Sequence, residues 1–199
     1  SNYRAALAEY IREQAQPVDK FGHQPRLYHV ASQIGIGLAY DDDILYAAAW
    51  LHDLGVFHGH RPSDPSALAA WDNTAYAMQQ APALLERLGF PVAKIPAVVE
   101  AIRTHQPSGE PATLEGTILR DADILEQLGA IGVLRMVSKI GRDMRYRNFA
   151  DALRVLQRSA ADLPEKVRLP SAKRLVESRV KLLRDFLAAA DSEADGEPL

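Results

Sequence analysis

The chain contains no cysteine, which excludes a disulfide framework and every thiolate-held metal or iron–sulfur site. Any metal must therefore be held by histidine and carboxylate. No apolar run approaches the ~20 residues of a membrane span, so no membrane partner is expected. No segment reads as a secretory leader, which leaves the cytoplasm as the default compartment. Aromatic residues make up 7% and are too dispersed for a base-stacking platform. The net charge of -3 provides no overall drive toward a nucleic-acid polymer or an anionic surface. No stretch alternates apolar and polar residues for long, so strands are not expected.

What is present is enough for one sizeable core: 199 residues, 47% hydrophobic. The expectation is one domain over 1–199, with a core of about 25–187 and a flexible acidic tail at 188–199. Charge is unevenly spread. Residues 1–134 carry 9 Lys/Arg against 16 Asp/Glu, whereas 135–184 carry 14 against 5. An acidic first part and a basic later part suit a phosphate-bearing ligand, although a solvated helix face explains any single arginine equally well.

The pattern predicts helix after helix, an all-α fold. "YRAALAEYIREQAQ" (3–16) spaces its apolar residues three and four apart and stops at Pro17. Pro25 suits the first turn of a helix running to about Ala39. "YDDDILYAAAWLHDLG" opens with acidic residues at the positive end of the helix dipole and stops at Gly55. Helices follow over 66–80, 82–88, 91–105, 114–128, 130–144, 148–160 and 170–190, with loops at "HGHRPSDP" and "QPSGEPAT". Trp50 and Trp71 read as core.

Six histidines are available, and two lie in otherwise apolar helical stretches: His29 in "RLYHVASQIGIGLA" and His52 in "AAAWLHDLG". Asp53 follows His52 directly, while Asp121 and Asp123 sit in "TILRDADILEQLGAIGVL". A buried carboxylate is costly unless paired or metal-bound. Adjacent helical residues point about 100° apart, so His52 and Asp53 can reach one ion from a helix end. His29 from the preceding helix and Asp123 from a later one complete a set of two imidazoles and two carboxylates. Such an N/O site suits one divalent ion, Mn²⁺, Fe²⁺, Co²⁺, Ni²⁺ or Mg²⁺, with Zn²⁺ also allowed. Asp121 points about 200° away from Asp123 and is expected to bond a helix end or an arginine instead.

The spaced set His29…His52-Asp53…Asp123 resembles the signature of the HD-domain phosphohydrolase superfamily. "AAAWLHDLG" looks like that family's helix ending in His-Asp. "LRDADILEQLGAIGVLR" (119–135) and "AKRLVESRVKLLRDFL" (172–187) are similar to segments of its small stand-alone bacterial members. The resemblance implies an all-helical fold around a central metal and hydrolysis of phosphate esters or anhydrides. It implies a nucleotide substrate, above all a nucleoside triphosphate cut to monophosphate and pyrophosphate. Two departures stand out. "HDLGVFHGH" has no Glu where many members carry one. Ser32 stands three residues after His29 where members often have Arg, and Arg26 lies three residues before it.

The remaining candidates are weighed against plainer roles. His105 ends a helix, where the dipole alone favours it; its functional readings are a phosphate contact, an acid or base, or a ligand to a second metal. His58 and His60 flank Gly59 and are either exposed loop residues or proton donors and second-metal ligands. Arg26, Lys139 and Arg142 are the expected phosphate contacts, since Arg forks match phosphate oxygens. Asp72 and Asn73 are either a helix cap or a water-orienting pair, and His23, just before Pro25, reads as a plain loop residue. A small phosphate compound is thus the expected partner, and a homodimer is compatible with the sequence. The competing functions are a phosphomonoesterase, phosphodiesterase or alarmone hydrolase, a metal-dependent hydratase of a non-phosphate substrate, and a non-catalytic nucleotide-binding module.

Overall fold

The computed structural model describes residues 2–199. Among them there are ten α-helices and no strand, so the fold is all-α as the periodicity predicts. No helix is long and apolar enough to cross a membrane. The chain divides into two compact units, residues 1–120 and 121–199, with the division inside one helix.

The first unit contains α1 (Tyr3–Gln14), α2 (His23–Ile34), α3 (Asp42–Leu51), α4 (Pro65–Ala69), α5 (Asn73–Arg87), α6 (Ile95–Arg103) and the start of α7 (Leu114–Leu125). Helix α3 is its centre and packs against α1, α2 and α6. Every residue of α3 from Ile44 to Leu51 is buried, which its near-continuous apolar run dictates. Asp41 caps its start by accepting from the backbone N–H groups of Asp43 and Ile44. The two following aspartates are held by cations: Arg4 lies 2.9 Å from Asp42 and 3.0 Å from Asp43, and Lys94 lies 2.9 Å from Asp43. The Tyr3 hydroxyl, then Lys94 and Arg4, hold the Asp43 carboxyl well below the usual carboxylate range. The far end of α3 runs directly into the polar pair His52 and Asp53.

The second unit contains the end of α7, α8 (Gly129–Val137), α9 (Phe149–Asp162) and α10 (Pro170–Ala194), the last three packed on one another. Gly129, at φ +74°, makes the left-handed turn between α7 and α8 that a side chain would resist. Asp121 is fully buried, and its carboxylate accepts from the backbone N–H of Arg168 at 3.0 Å and of Leu169 at 2.8 Å. It thus caps α10 from another helix, the helix-end role expected of it.

Several boundaries differ from the sequence reading. A helix over 66–80 and another from Pro82 are not formed; α4 is short, and α5 starts after its cap Asp72 and runs through Pro82. The buried face Ala77, Ala81, Leu84 and Leu85 keeps α5 continuous past the missing donor. Helix α2 ends at Ile34 rather than Ala39, where Gly35 caps it and Gly37 turns at φ +79°. Helix α8 ends at Val137 rather than 144. Trp50 is core, but Trp71 is only half-buried, its indole N–H donating to the Gly55 carbonyl at 2.8 Å.

Candidate metal centre

Helix α2 begins at His23, not after it, because Pro25 falls within the first turn, where its missing N–H costs nothing. Its inward stripe is His23, Gln24, Leu27, Val30, Ala31 and Ile34, the three- and four-residue spacing of one helix face. His23 is thereby carried into the core against the end of α3. There His52 is the C-terminal cap residue, its N–H still bonded to the Ala48 carbonyl at 3.0 Å, and Asp53 opens the turn of 3₁₀ helix at Leu54–Val56.

Three donor atoms converge. His23 Nε2 lies 3.2 Å from His52 Nε2 and 3.5 Å from Asp53 Oδ2, and His52 Nε2 lies 3.4 Å from the same oxygen. Ligand atoms about 2.1 Å from a common ion stand about 3.0 Å apart at right angles and about 3.4 Å apart at the tetrahedral angle. The three separations fit one face of such a coordination shell. The His52 ring is oriented by its other nitrogen, Nδ1–H donating to the Ala49 carbonyl at 2.8 Å. That bond leaves Nε2 as the lone-pair nitrogen, the tautomer that a metal requires. Burial raises the Asp53 carboxyl. The surrounding imidazoles of His52, His23 and His105, when protonated in the metal-free protein, outweigh it and hold the group well below its ordinary range. Two imidazoles and a carboxylate on one face are the donor set of a divalent transition metal or zinc.

His105, two residues beyond α6, is buried and repeats the pattern: its Nδ1–H donates to the Ile102 carbonyl at 2.6 Å. Its ring stands edge-on to His52 at 4.9 Å between centroids. Its Nε2 is therefore the nitrogen able to accept or bind beside the cluster. Arg120, itself buried, donates to the Pro107 carbonyl at 2.6 Å and fixes the segment just after His105.

The structure redistributes the other candidates. His29 is exposed on α2, six residues from His23 and about 120° round the helix from it, and does not join the cluster. His23, expected in a loop, is in it. Arg26 stands three residues after His23, and its guanidinium lies 2.6 Å from where a side chain at Gly22 would begin. That His-x-x-Arg spacing was the sequence signal for His23. His58 is exposed and accepts from Arg61 at 2.6 Å. His60 is half-buried, with both ring nitrogens hydrogen-bonded to neighbours, so neither loop histidine is brought into the cluster. Asp72 is the cap of α5, accepting from Ala75 N–H at 2.9 Å. In the second unit, Asp123 is 8% exposed and its Oδ2 lies 3.5 Å from the Gln127 side-chain amide. Lys139 lies over the Tyr146 ring at 5.7 Å, and Arg142 is exposed.

Residues 21–128, more than half of the chain, match the family described as the HD domain. Among solved structures, YpgQ of Bacillus subtilis in complex with ADP is 21% identical with a TM-score of 0.69, over 98% of each chain. An HD-superfamily hydrolase of Bacillus thuringiensis is 20% identical with a TM-score of 0.69, over 98% of this chain and 96% of that one. A protein of Lactobacillus plantarum is 18% identical with a TM-score of 0.73, over 99% of both. At these identities the likeness establishes the fold. No curated protein matches the chain in sequence.

Proposed function

The chain belongs to the HD-domain family, and from that premise we propose that it hydrolyses a nucleotide, cutting a nucleoside triphosphate to monophosphate and pyrophosphate. Membership makes it a metal-dependent phosphohydrolase; the substrate and the residue roles are the proposal. The observation that carries it is the convergence of His23 Nε2, His52 Nε2 and Asp53 Oδ2 within 3.5 Å of one another. A nucleotide is supported by the ADP held by YpgQ, and a triphosphate by the resemblance of residues 119–135 to small stand-alone members.

His23, His52 and Asp53 hold the metal, with Asp123 as the fourth ligand that the sequence pattern implies. A divalent ion held by this set supplies a bound water of lowered pKa and polarises a phosphoryl oxygen. The protein's own groups supply placement. The Ala49 carbonyl keeps His52 in the ligating tautomer. Asp53 enters the site already ionised. His105 presents Nε2 beside His52 and is assigned to the phosphoryl group or its leaving oxygen. Arg26, one turn beyond His23, is the nearest cation along α2 and is assigned to phosphate binding.

The test is chromatographic product analysis with Mn²⁺ and a panel of nucleoside tri-, di- and monophosphates, cyclic nucleotides and alarmones. Monophosphate plus pyrophosphate is expected from a triphosphate, with the rate reduced on the order of a hundredfold or more in Asp53→Ala, since losing a ligand costs at least as much as losing a ligand's outer-shell partner. Inorganic phosphate or a nucleoside as the product would replace the substrate and keep the metal site. Equal rates in wild type and Asp53→Ala would overturn the site.

A further inference from the structure

His60 has both ring nitrogens hydrogen-bonded, and nothing in the hydrolysis just described uses it. Tyr76 of α5 donates its hydroxyl to His60 Nδ1 at 2.7 Å, and His60 Nε2–H donates to the Gln14 side-chain oxygen of α1 at 2.6 Å. Both nitrogens are engaged, so the ring is set as the neutral Nε2–H tautomer and bridges two helices. Burial lowers its pKa, which favours that same neutral form.

The bridge closes on the segment that carries Asp53. From Asp53 to Arg61 the backbone is a chain of tight turns: Val56 N–H to the Asp53 carbonyl at 3.0 Å, Phe57 to Leu54 at 3.4 Å, His60 to Phe57 at 3.1 Å and Arg61 to Phe57 at 3.0 Å. Phe57 in its middle is fully buried. The same segment is pinned twice more to the same two neighbours. The His58 N–H donates to the Gln16 carbonyl beyond α1 at 2.9 Å. The Trp71 indole donates to the Gly55 carbonyl, and a side chain at Gly55 would meet the Asn73 carbonyl at 2.7 Å. The backbone at Asp53 is therefore one end of a turn whose far end is fixed by His60.

We propose that His60 is a positioning residue, joining Gln14 of α1 to Tyr76 of α5 so that the turn after His52 holds the Asp53 carboxylate in the metal-binding pose. Gln14 lies outside the matched residues 21–128, so part of the metal centre's support comes from a helix beyond the family segment. The inference rests on the proposed metal role of His23, His52 and Asp53.

Mn²⁺ affinity is measured by calorimetry for the wild type, His60→Ala, Tyr76→Phe, Gln14→Leu and the double variant His60→Ala/Tyr76→Phe, alongside the unfolding midpoint of each metal-free protein. Loss of an orienting partner in the outer shell of a metal site weakens affinity by roughly tenfold or more. His60→Ala is expected to raise the Mn²⁺ dissociation constant on the order of tenfold. Tyr76→Phe and Gln14→Leu raise it less, and the double variant raises it no further than His60→Ala. Tyr76→Phe removes one hydroxyl and keeps the test open should His60→Ala fold poorly. Lower midpoints with unchanged Mn²⁺ affinity in all four variants would overturn the positioning role and leave a purely structural tether. A wild type that binds no divalent ion would instead overturn the metal centre itself.

Discussion

Burial of His60 adds a pH dependence to the stability of the fold. Burial depresses the His60 pKa below its ordinary value of about 6.5, so the unfolded chain takes up the proton more readily than the folded one. The resulting stability is fully present above about pH 6.5 and is lost as pH falls through the depressed folded value. Unfolding midpoints of metal-free wild type and His60→Gln between pH 7.5 and 5.5 are expected to diverge: the wild type declines toward low pH, and the variant declines less steeply. Parallel curves would show that His60 titrates alike in both states. At this same scale the His52-Asp53 pair was legible, because a charged dipeptide ending an all-apolar helix has few uses. Its histidine partner was not. His29 sits between apolar neighbours in the sequence, yet the buried stripe of α2 is 27, 30, 31 and 34, and stepping back four from Leu27 gives His23. The loop assigned to the residues before Pro25 hid that step.

At the scale of elements, helix ends carry more of the organisation than helix interiors. Helix α10 has no side-chain cap of its own and takes Asp121 of α7 instead, across 47 and 48 residues of chain. Asp121→Ala removes a buried acceptor and leaves two N–H groups without it, at a cost of roughly 2–3 kcal/mol. For a chain of this size that corresponds to an unfolding midpoint lowered by about 5–10 °C. Far-UV circular dichroism on heating reads it directly, with Asp121→Asn falling between because one oxygen remains. A midpoint within about a degree of wild type would show that Asp121 does not stabilise α10. Most helices were legible from apolar spacing, and so was the acidic start of α3. Boundaries at prolines were not: Pro82 reads as a breaker, but burial of Ala81, Leu84 and Leu85 around it outweighs one lost hydrogen bond.

For the whole molecule, the absence of cysteine and of strand-like alternation was enough to give an all-α protein with a histidine–carboxylate chemistry, and the solved structures that resemble it do so over almost their full length. Of the two histidines six residues apart on α2, the one that faces α3 is the one in register with the apolar stripe Leu27, Val30, Ala31 and Ile34, which is His23 and not His29. The central claim is therefore that His23, His52 and Asp53 form the metal centre. It is tested most directly by metal content. Wild type, His23→Ala and His29→Ala are each loaded with Mn²⁺, passed through a desalting column and assayed by elemental analysis. Bound metal is expected in the wild type and in His29→Ala, and loss of it in His23→Ala. Metal retained by His23→Ala and lost from His29→Ala would contradict it.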